Sequence, residues 1–332
     1  MNRLRPLPAP LVAGLLAIVA IGALLAGCGD DGDDGDDDGP LSVVTERVLD
    51  PRLREYSFIT PSLLEEPRVR VLLPPGYEES DRRYPVLYLL HGADAGASFW
   101  TVAEIERLVG DRELIVVMPD GDTGFYSNWF SEGRGGPPLW EDFHVGELIP
   151  WIDGELRTVA AREGRAIAGN SMGGLGALLY AAHHPDLFVL AASFSGPVQV
   201  EPEGIAEVLV ETGRDPGLVS EIWGPYPAQA ERWRRHDPVE IAEELEGAEI
   251  VLVSGNGRLR GGAKVISPVE ETIGEMNAAL HRRLDELGIE HTYVAGPGIH
   301  DVPDWQRALR LTLPRIDAAL GVREGVDAGA AG

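Results

Sequence analysis

A serine flanked by glycines, in Gly169-Asn170-Ser171-Met172-Gly173, is the strongest chemical signal in this sequence. It fits G-x-S-x-G in the context that pattern requires: an apolar strand (Ala166 to Ala168) before it and a small-residue helix after it. The chemistry implied is nucleophilic attack. The serine must sit on a tight, strained turn, and bulk at either flanking position would collide with neighbouring backbone. The same turn places it at a helix N-terminus, where backbone N–H groups can stabilise an oxyanion. The plainer alternative is a serine in a glycine-rich helix cap.

A hydroxyl is a poor nucleophile without a base, so a histidine is needed. With this motif the chain order expected is serine, acid, histidine. His91 and His144 precede the nucleophile, and His183 and His184 end its helix before Pro185. His236 lies in a polar insertion, His281 in a helical pattern and His291 at the start of a strand. His300 alone follows the last strand, Thr292 to Ala295, in the loop Gly296-Pro297-Gly298-Ile299. That loop reaches the sheet edge where the nucleophile also sits.

The acid is less obvious. The loop after the strand ending at Val253 reads Ser254-Gly255-Asn256-Gly257 and has no carboxylate before Glu270 and Glu271. Ser267-Pro268-Val269-Glu270 has capping-box spacing, so Glu270 competes between capping a helix and orienting a histidine. No Cys/His set has zinc spacing, the single Cys cannot form an internal disulfide, and no cofactor is implied.

These residues need elements to hold them. Arg68 to Leu73, Val86 to Leu90, Leu114 to Met118, Ala166 to Gly169, Phe188 to Phe194 and Ile250 to Val253 are compact apolar runs bounded by turn residues. Such runs suit strands buried on both faces. With helical patterns between them, they predict an α/β fold: a mostly parallel sheet, helices on both sides and antiparallel strands at its start. Residues 197–245, rich in Pro, Glu and Trp, predict a helical cap insertion. Residues 41–320 read as one domain, and 321–332 as a disordered Gly/Ala tail.

The N-terminus has its own signals. Arg3 and Arg5 precede an apolar run from Leu11 to Leu25, then Leu25-Ala26-Gly27-Cys28. This reads as a secretory signal over residues 1–27, too short for a comfortable membrane span. Its last four residues resemble a bacterial lipobox, which implies lipidation at Cys28 and a membrane anchor on the extracytoplasmic face. Residues 28–40 are almost wholly Asp and Gly and read as an extended tether. The formal net charge is −26, which excludes a basic nucleic-acid footprint.

Taken together, several motifs resemble one family. His91-Gly92 after a strand, Phe125-Tyr126-Ser127-Asn128-Trp129, Trp140-Glu141-Asp142-Phe143 and the Ser171 motif are four of them. Ser254-Gly255-Asn256-Gly257 and Gly298-Ile299-His300 with Trp305 complete the set, which is similar to the esterase D/secreted mycolyltransferase group of α/β-hydrolases. The resemblance runs from about Tyr84 to Leu313. It implies an α/β-hydrolase fold, a Ser171–Glu270–His300 triad with Glu271 as fallback, and an oxyanion hole from the backbone N–H groups of Ala93 and Met172. The glutamate is placed by its spacing to Asn277. There are departures: the mycolyltransferases carry an Asp before that first glycine and an Arg two positions after it, both contacting trehalose. Here His91 and Asp94 stand at those positions.

The leading expectation is therefore a lipid-anchored serine esterase acting on a small-molecule, lipid or sugar ester. The alternatives are an acyltransferase passing the acyl group to a sugar hydroxyl, and a non-catalytic surface binding lipoprotein. Asp94 and Trp129 are candidate substrate contacts. Trp100 and Tyr126 are candidates for an aromatic subsite or, more simply, for the core.

Overall fold

A computed structural model describes residues 41–131, 138–261 and 266–322 of the chain. The signal segment, the tether, Cys28 and residues 323–332 of the expected tail lie outside the described residues. The first strands are β1 (Ser42–Val48), β2 (Leu53–Ile59) and β3 (Arg68–Leu72), followed by β4 (Val86–Leu90). Two short helices, α1 (Phe99–Val102) and α2 (Ile105–Val109), lead to β5 (Ile115–Pro119). A π-helical stretch, Asp142–Leu148, runs directly into α3 (Ile149–Glu155), then come β6 (Arg165–Asn170), α4 (Met172–His183) and β7 (Leu190–Phe194).

Between β7 and the next strand the chain passes through three short helices, α5 (Pro202–Glu211), α6 (Leu218–Ile222) and α7 (Ala230–Arg235). The last elements are β8 (Glu249–Gly255), α8 (Pro268–Leu287), β9 (His291–Gly296) and α9 (Val302–Leu320). The nine strands form one sheet in the order β1-β2-β3-β5-β4-β6-β7-β8-β9. The pairs from β1 to β5 are antiparallel; β5-β4-β6-β7-β8-β9 are all parallel. This is an α/β-hydrolase fold.

The uniformly apolar runs make the middle of the sheet because both of its faces are covered. Val86, Tyr88 and Leu90 of β4 point into a core shared with α3, α4, α8 and the insertion. Leu87 and Leu89 point into a second core shared with α1, α2 and α9, as a period of two requires. Each such side chain contributes roughly 1.5–3 kcal/mol on burial. The hairpin of β1 and β2 is the part the apolar pattern did not outline: every residue of β1 is exposed. No described helix is long and apolar enough to cross a membrane.

Candidate active site

The strand-to-helix turn from β6 to α4 puts Ser171 at the C-terminal edge of the sheet. Its backbone is left-handed, φ 52° and ψ −124°, a conformation that costs a non-glycine residue of order 1–3 kcal/mol and persists only when its surroundings fix it. They do so through close backbone approach. A Cβ on Gly169 would come within 2.3 Å of the Gly173 carbonyl oxygen, and one on Gly173 within 2.6 Å of the His91 carbonyl oxygen. The Ser171 N–H is tied to the Phe194 carbonyl of β7 at 2.8 Å.

His300 Nε2 lies 2.9 Å from Ser171 Oγ, and His300 Nδ1 lies 2.7 Å from Glu270 Oε2. The structure therefore brings Ser171, His300 and Glu270 into one hydrogen-bonded relay. A carboxylate at Nδ1 fixes the proton there and leaves a lone pair on Nε2 facing the hydroxyl, which is what a general base for that hydroxyl needs. The His300 ring meets the edge of Trp305 at right angles, with centroids 5.0 Å apart. Its loop is pinned by Asp304, whose side chain accepts from the Ile299 N–H at 2.7 Å.

Glu270 is wholly buried in the first turn of α8, and Glu271 is exposed. The capping box that its spacing suggested does not form, since the Ser267 side chain makes no capping bond. The Glu270 carboxylate is turned inward instead. Its second oxygen accepts from Ser195 Oγ at 2.7 Å and from the Gly255 N–H at 2.5 Å, so both oxygens are held. Ser195 follows β7 in a left-handed conformation, φ 51°. Asn277, one face further along α8, donates to the Gly196 carbonyl at 2.8 Å and ties the helix to the same turn.

The residues expected to form an oxyanion hole flank Ser171. Met172 opens α4, where its N–H has no acceptor in the helical ladder. Ala93 lies on the loop after β4, and a Cβ on the adjacent Gly92 would lie 3.2 Å from the Ser171 Cβ, so the two turns are in contact. That loop is braced from behind. The Tyr126 hydroxyl accepts from the His91 N–H and donates to the His91 carbonyl, both at 3.0 Å. His91 Nε2 accepts from the Gly121 N–H at 2.8 Å and Nδ1 donates to the Gly92 carbonyl at 2.6 Å. Burial pushes its pKa down, so it is a neutral brace with neither nitrogen free for proton transfer. His144 is also held neutral, burial bringing it down to about 4.

Asp94, the candidate substrate contact one residue beyond Ala93, is exposed and already has two partners. One carboxylate oxygen accepts from Thr123 Oγ1 at 3.0 Å, and the other pairs with Arg214 at 2.5 Å. Arg214 comes from the segment between α5 and α6, so that segment reaches back to the loop after β4 and places a positive charge beside Asp94. Trp129 is half-buried against the larger core and donates its indole N–H to the Gly124 carbonyl at 3.2 Å. Trp100 and Tyr126 are core residues, 1% and 0% exposed. Ser195, Thr123 and Arg214 escaped sequence reasoning because each acts on a partner far along the chain.

The model of the Esterase family matches residues 60–316. The chain belongs to that family. Within the family's relatives, it is 35% identical over 304 residues to an esterase of Mycobacterium tuberculosis, covering 88% of this chain and 65% of that protein. It thus spans about two thirds of the length of the first curated relatives it matches. It is 31% identical over 253 residues to the diacylglycerol acyltransferase/mycolyltransferase Ag85B of Mycolicibacterium smegmatis, covering 71% of this chain and 77% of that one. Two solved structures share the fold. A fluorophosphonate-binding serine hydrolase of Staphylococcus aureus has a TM-score of 0.64 at 20% identity, over 84% of this chain and 99% of that one. MPT51 of Mycobacterium tuberculosis has a TM-score of 0.64 at 24% identity, over 79% and 96%.

Proposed function

We propose that this chain is a serine ester hydrolase that works through an acyl-enzyme on Ser171. The observation that carries the reading is the unbroken relay from Ser171 Oγ through His300 to a buried, doubly held Glu270 carboxylate. In the proposed cycle Ser171 Oγ attacks the ester carbonyl carbon as its proton passes to His300 Nε2. The carbonyl oxygen becomes an oxyanion facing the N–H groups of Ala93 and Met172. Collapse expels the alcohol, which takes the proton from the imidazolium. Water then attacks the acyl carbon with His300 as base, releasing the acid and restoring the hydroxyl.

Similarity to an acyltransferase/mycolyltransferase supports a second reading, in which a sugar hydroxyl replaces that water. Hydrolysis is the favoured reading because the family's sugar-binding Arg is replaced here by Asp94, a carboxylate paired with Arg214, so the contact the mycolyltransferases make at that position cannot be carried over. Incubation with a short-chain or medium-chain acyl donor plus trehalose, followed by mass spectrometry, should yield free acid in excess over acyl-trehalose, and a mycolyl donor should give no measurable trehalose mycolylation. Acyl-trehalose in excess over free acid would make the transferase reading the right one. A p-nitrophenyl ester series with and without sugar acceptors then ranks chain lengths.

We further propose that the enzyme works on the extracytoplasmic face, anchored through a lipid on Cys28. The support is the Leu25-Ala26-Gly27-Cys28 sequence after the apolar run, with the Asp/Gly tether beyond it. Cys28→Ala should release the protein from the membrane fraction or leave it as the unprocessed precursor. An unchanged mature mass after that substitution would remove the anchor from the account.

A further inference from the structure

Helix α8, which carries Glu270, and strand β9, which leads into the His300 loop, bring a second group of side chains together away from the triad. Along α8, His281 stands 11 residues beyond Glu270, roughly 16 Å along the helix axis. His281 and Asp285 are four residues apart, so they share one face of that helix. His291 is the first residue of β9, the last strand of the sheet.

His281 Nδ1 lies 2.7 Å from His291 Nε2. One Asp285 oxygen lies 3.6 Å from His281 Nε2 and the other 3.9 Å from His291 Nε2. One nitrogen from each histidine and one carboxylate oxygen lie mutually within 4.8 Å. His291 is oriented from behind: its Nδ1 is 2.8 Å from the Ile289 carbonyl, which can only accept. That contact fixes the proton on Nδ1, so the Nε2 lone pair accepts from the His281 Nδ1–H, and a metal ion takes that lone pair once the His281 proton moves to its own Nε2. Metal-ligating histidines are generally held in this way. Tyr293 stacks on the His281 ring, centroids 4.4 Å apart and planes 27° apart, and restricts its rotation.

We propose that His281, Asp285 and His291 bind one divalent transition-metal cation of the zinc type, joining α8 to β9. Two imidazole nitrogens and one carboxylate oxygen are the donor set such an ion prefers, whereas magnesium and calcium take oxygen. Ligands about 2.0–2.1 Å from a tetrahedral zinc stand about 3.3 Å apart. The His281–His291 separation has to open by about half an ångström to reach that value. Asp285, with its side chain 62% exposed, is free to swing onto the same ion. The fourth position faces an open basin of about 1100 Å³ whose rim carries Glu246, Glu249 and Glu290, and can be filled by water. Arg315 pairs with Glu249 at 2.8 Å, so Glu246 and Glu290 are the carboxylates that draw cations to the basin.

The test uses the full chain, purified without a histidine tag and stripped with EDTA. Calorimetric titration with zinc sulfate should give one equivalent bound with a Kd in the micromolar range or below. Cobalt chloride should give the visible absorption of a four-coordinate site. Saturating zinc should raise the thermal midpoint by about 5 °C at a hundredfold excess over Kd. His281→Ala and His291→Ala should each weaken zinc binding by ~100-fold, and Asp285→Asn by ~10-fold, while ester hydrolysis persists and shows that the variants are folded. Calcium should bind at least ~100-fold more weakly. The proposal is overturned if the hydrolytically active wild-type chain binds no zinc below about 1 mM, if His291→Ala binds as tightly as wild type, or if calcium binds equally well. The first outcome would leave His281 and His291 as a hydrogen-bonded pair only.

Discussion

Ser171→Ala should lower kcat for ester hydrolysis by ~10⁴-fold or more and leave the fold unchanged. The size follows from what the hydroxyl does. Among the described residues it is the hydroxyl placed 2.9 Å from the His300 Nε2 lone pair, so removing it leaves that base with no nucleophile to activate. Binding and the oxyanion donors would still act on water, which is why the loss stops short of the whole rate enhancement. Structure should survive because Ser171 is held mainly through its backbone, by the Phe194 carbonyl, and its side chain is only partly buried. Circular dichroism and steady-state kinetics on a p-nitrophenyl ester check both halves. Retention of a tenth of the wild-type rate would remove Ser171 from the mechanism.

Glu270→Gln should cost ~10²–10⁴-fold in kcat through the histidine tautomer and the lost charge. The carboxylate now accepts at both oxygens, from Ser195 and Gly255 on one and from His300 on the other. A glutamine that keeps its oxygen toward Ser195 and Gly255 presents its NH₂ to His300 Nδ1. The ring must then accept at Nδ1 and carry its proton on Nε2, so the lone pair that faced Ser171 is gone. The developing imidazolium also loses its counter-charge. Stability should change little, because the substitution is nearly isosteric and relieves the burial of a charge. Glu271→Gln, on an exposed side chain, should be nearly silent. The reverse pattern would transfer the role to Glu271, and two silent variants would mean that the acid lies elsewhere.

Which parts of the site could be read from the sequence follows from how local their causes are. Ser171 and His300 are legible because each sits in a strand–loop–helix pattern written within a dozen residues. Glu270 is not legible by chemistry alone. A first-turn glutamate three residues after a serine reads as a capping box; the need for a triad acid narrows the choice to Glu270 and Glu271, and the family resemblance decides between them. What turns its carboxylate inward are Ser195, 75 residues earlier, and the Gly255 N–H at the end of β8. Asp94 reads as an inverted charge because Arg214, 120 residues later, is invisible beside it in a linear sequence. The parallel strands were legible from their unbroken apolar runs. β1 was not, since an edge strand exposed along its whole length has no apolar pattern to show. Its pairing with β2 combines the backbone ladder with polar cross-strand pairs such as Thr45–Ser57 and Glu46–Tyr56, which leave no apolar period in the sequence.

The central claim is that one serine of this chain forms a covalent intermediate because His300 and Glu270 activate it. Labelling the full chain with a fluorophosphonate, then measuring intact mass and mapping the modified peptide, tests this most directly. One adduct per chain on the Gly169–Gly173 peptide is expected. It should be absent in Ser171→Ala and formed much more slowly in Glu270→Gln and His300→Ala. No adduct on a chain that hydrolyses esters, or an adduct on another residue that persists in Ser171→Ala, would contradict the account.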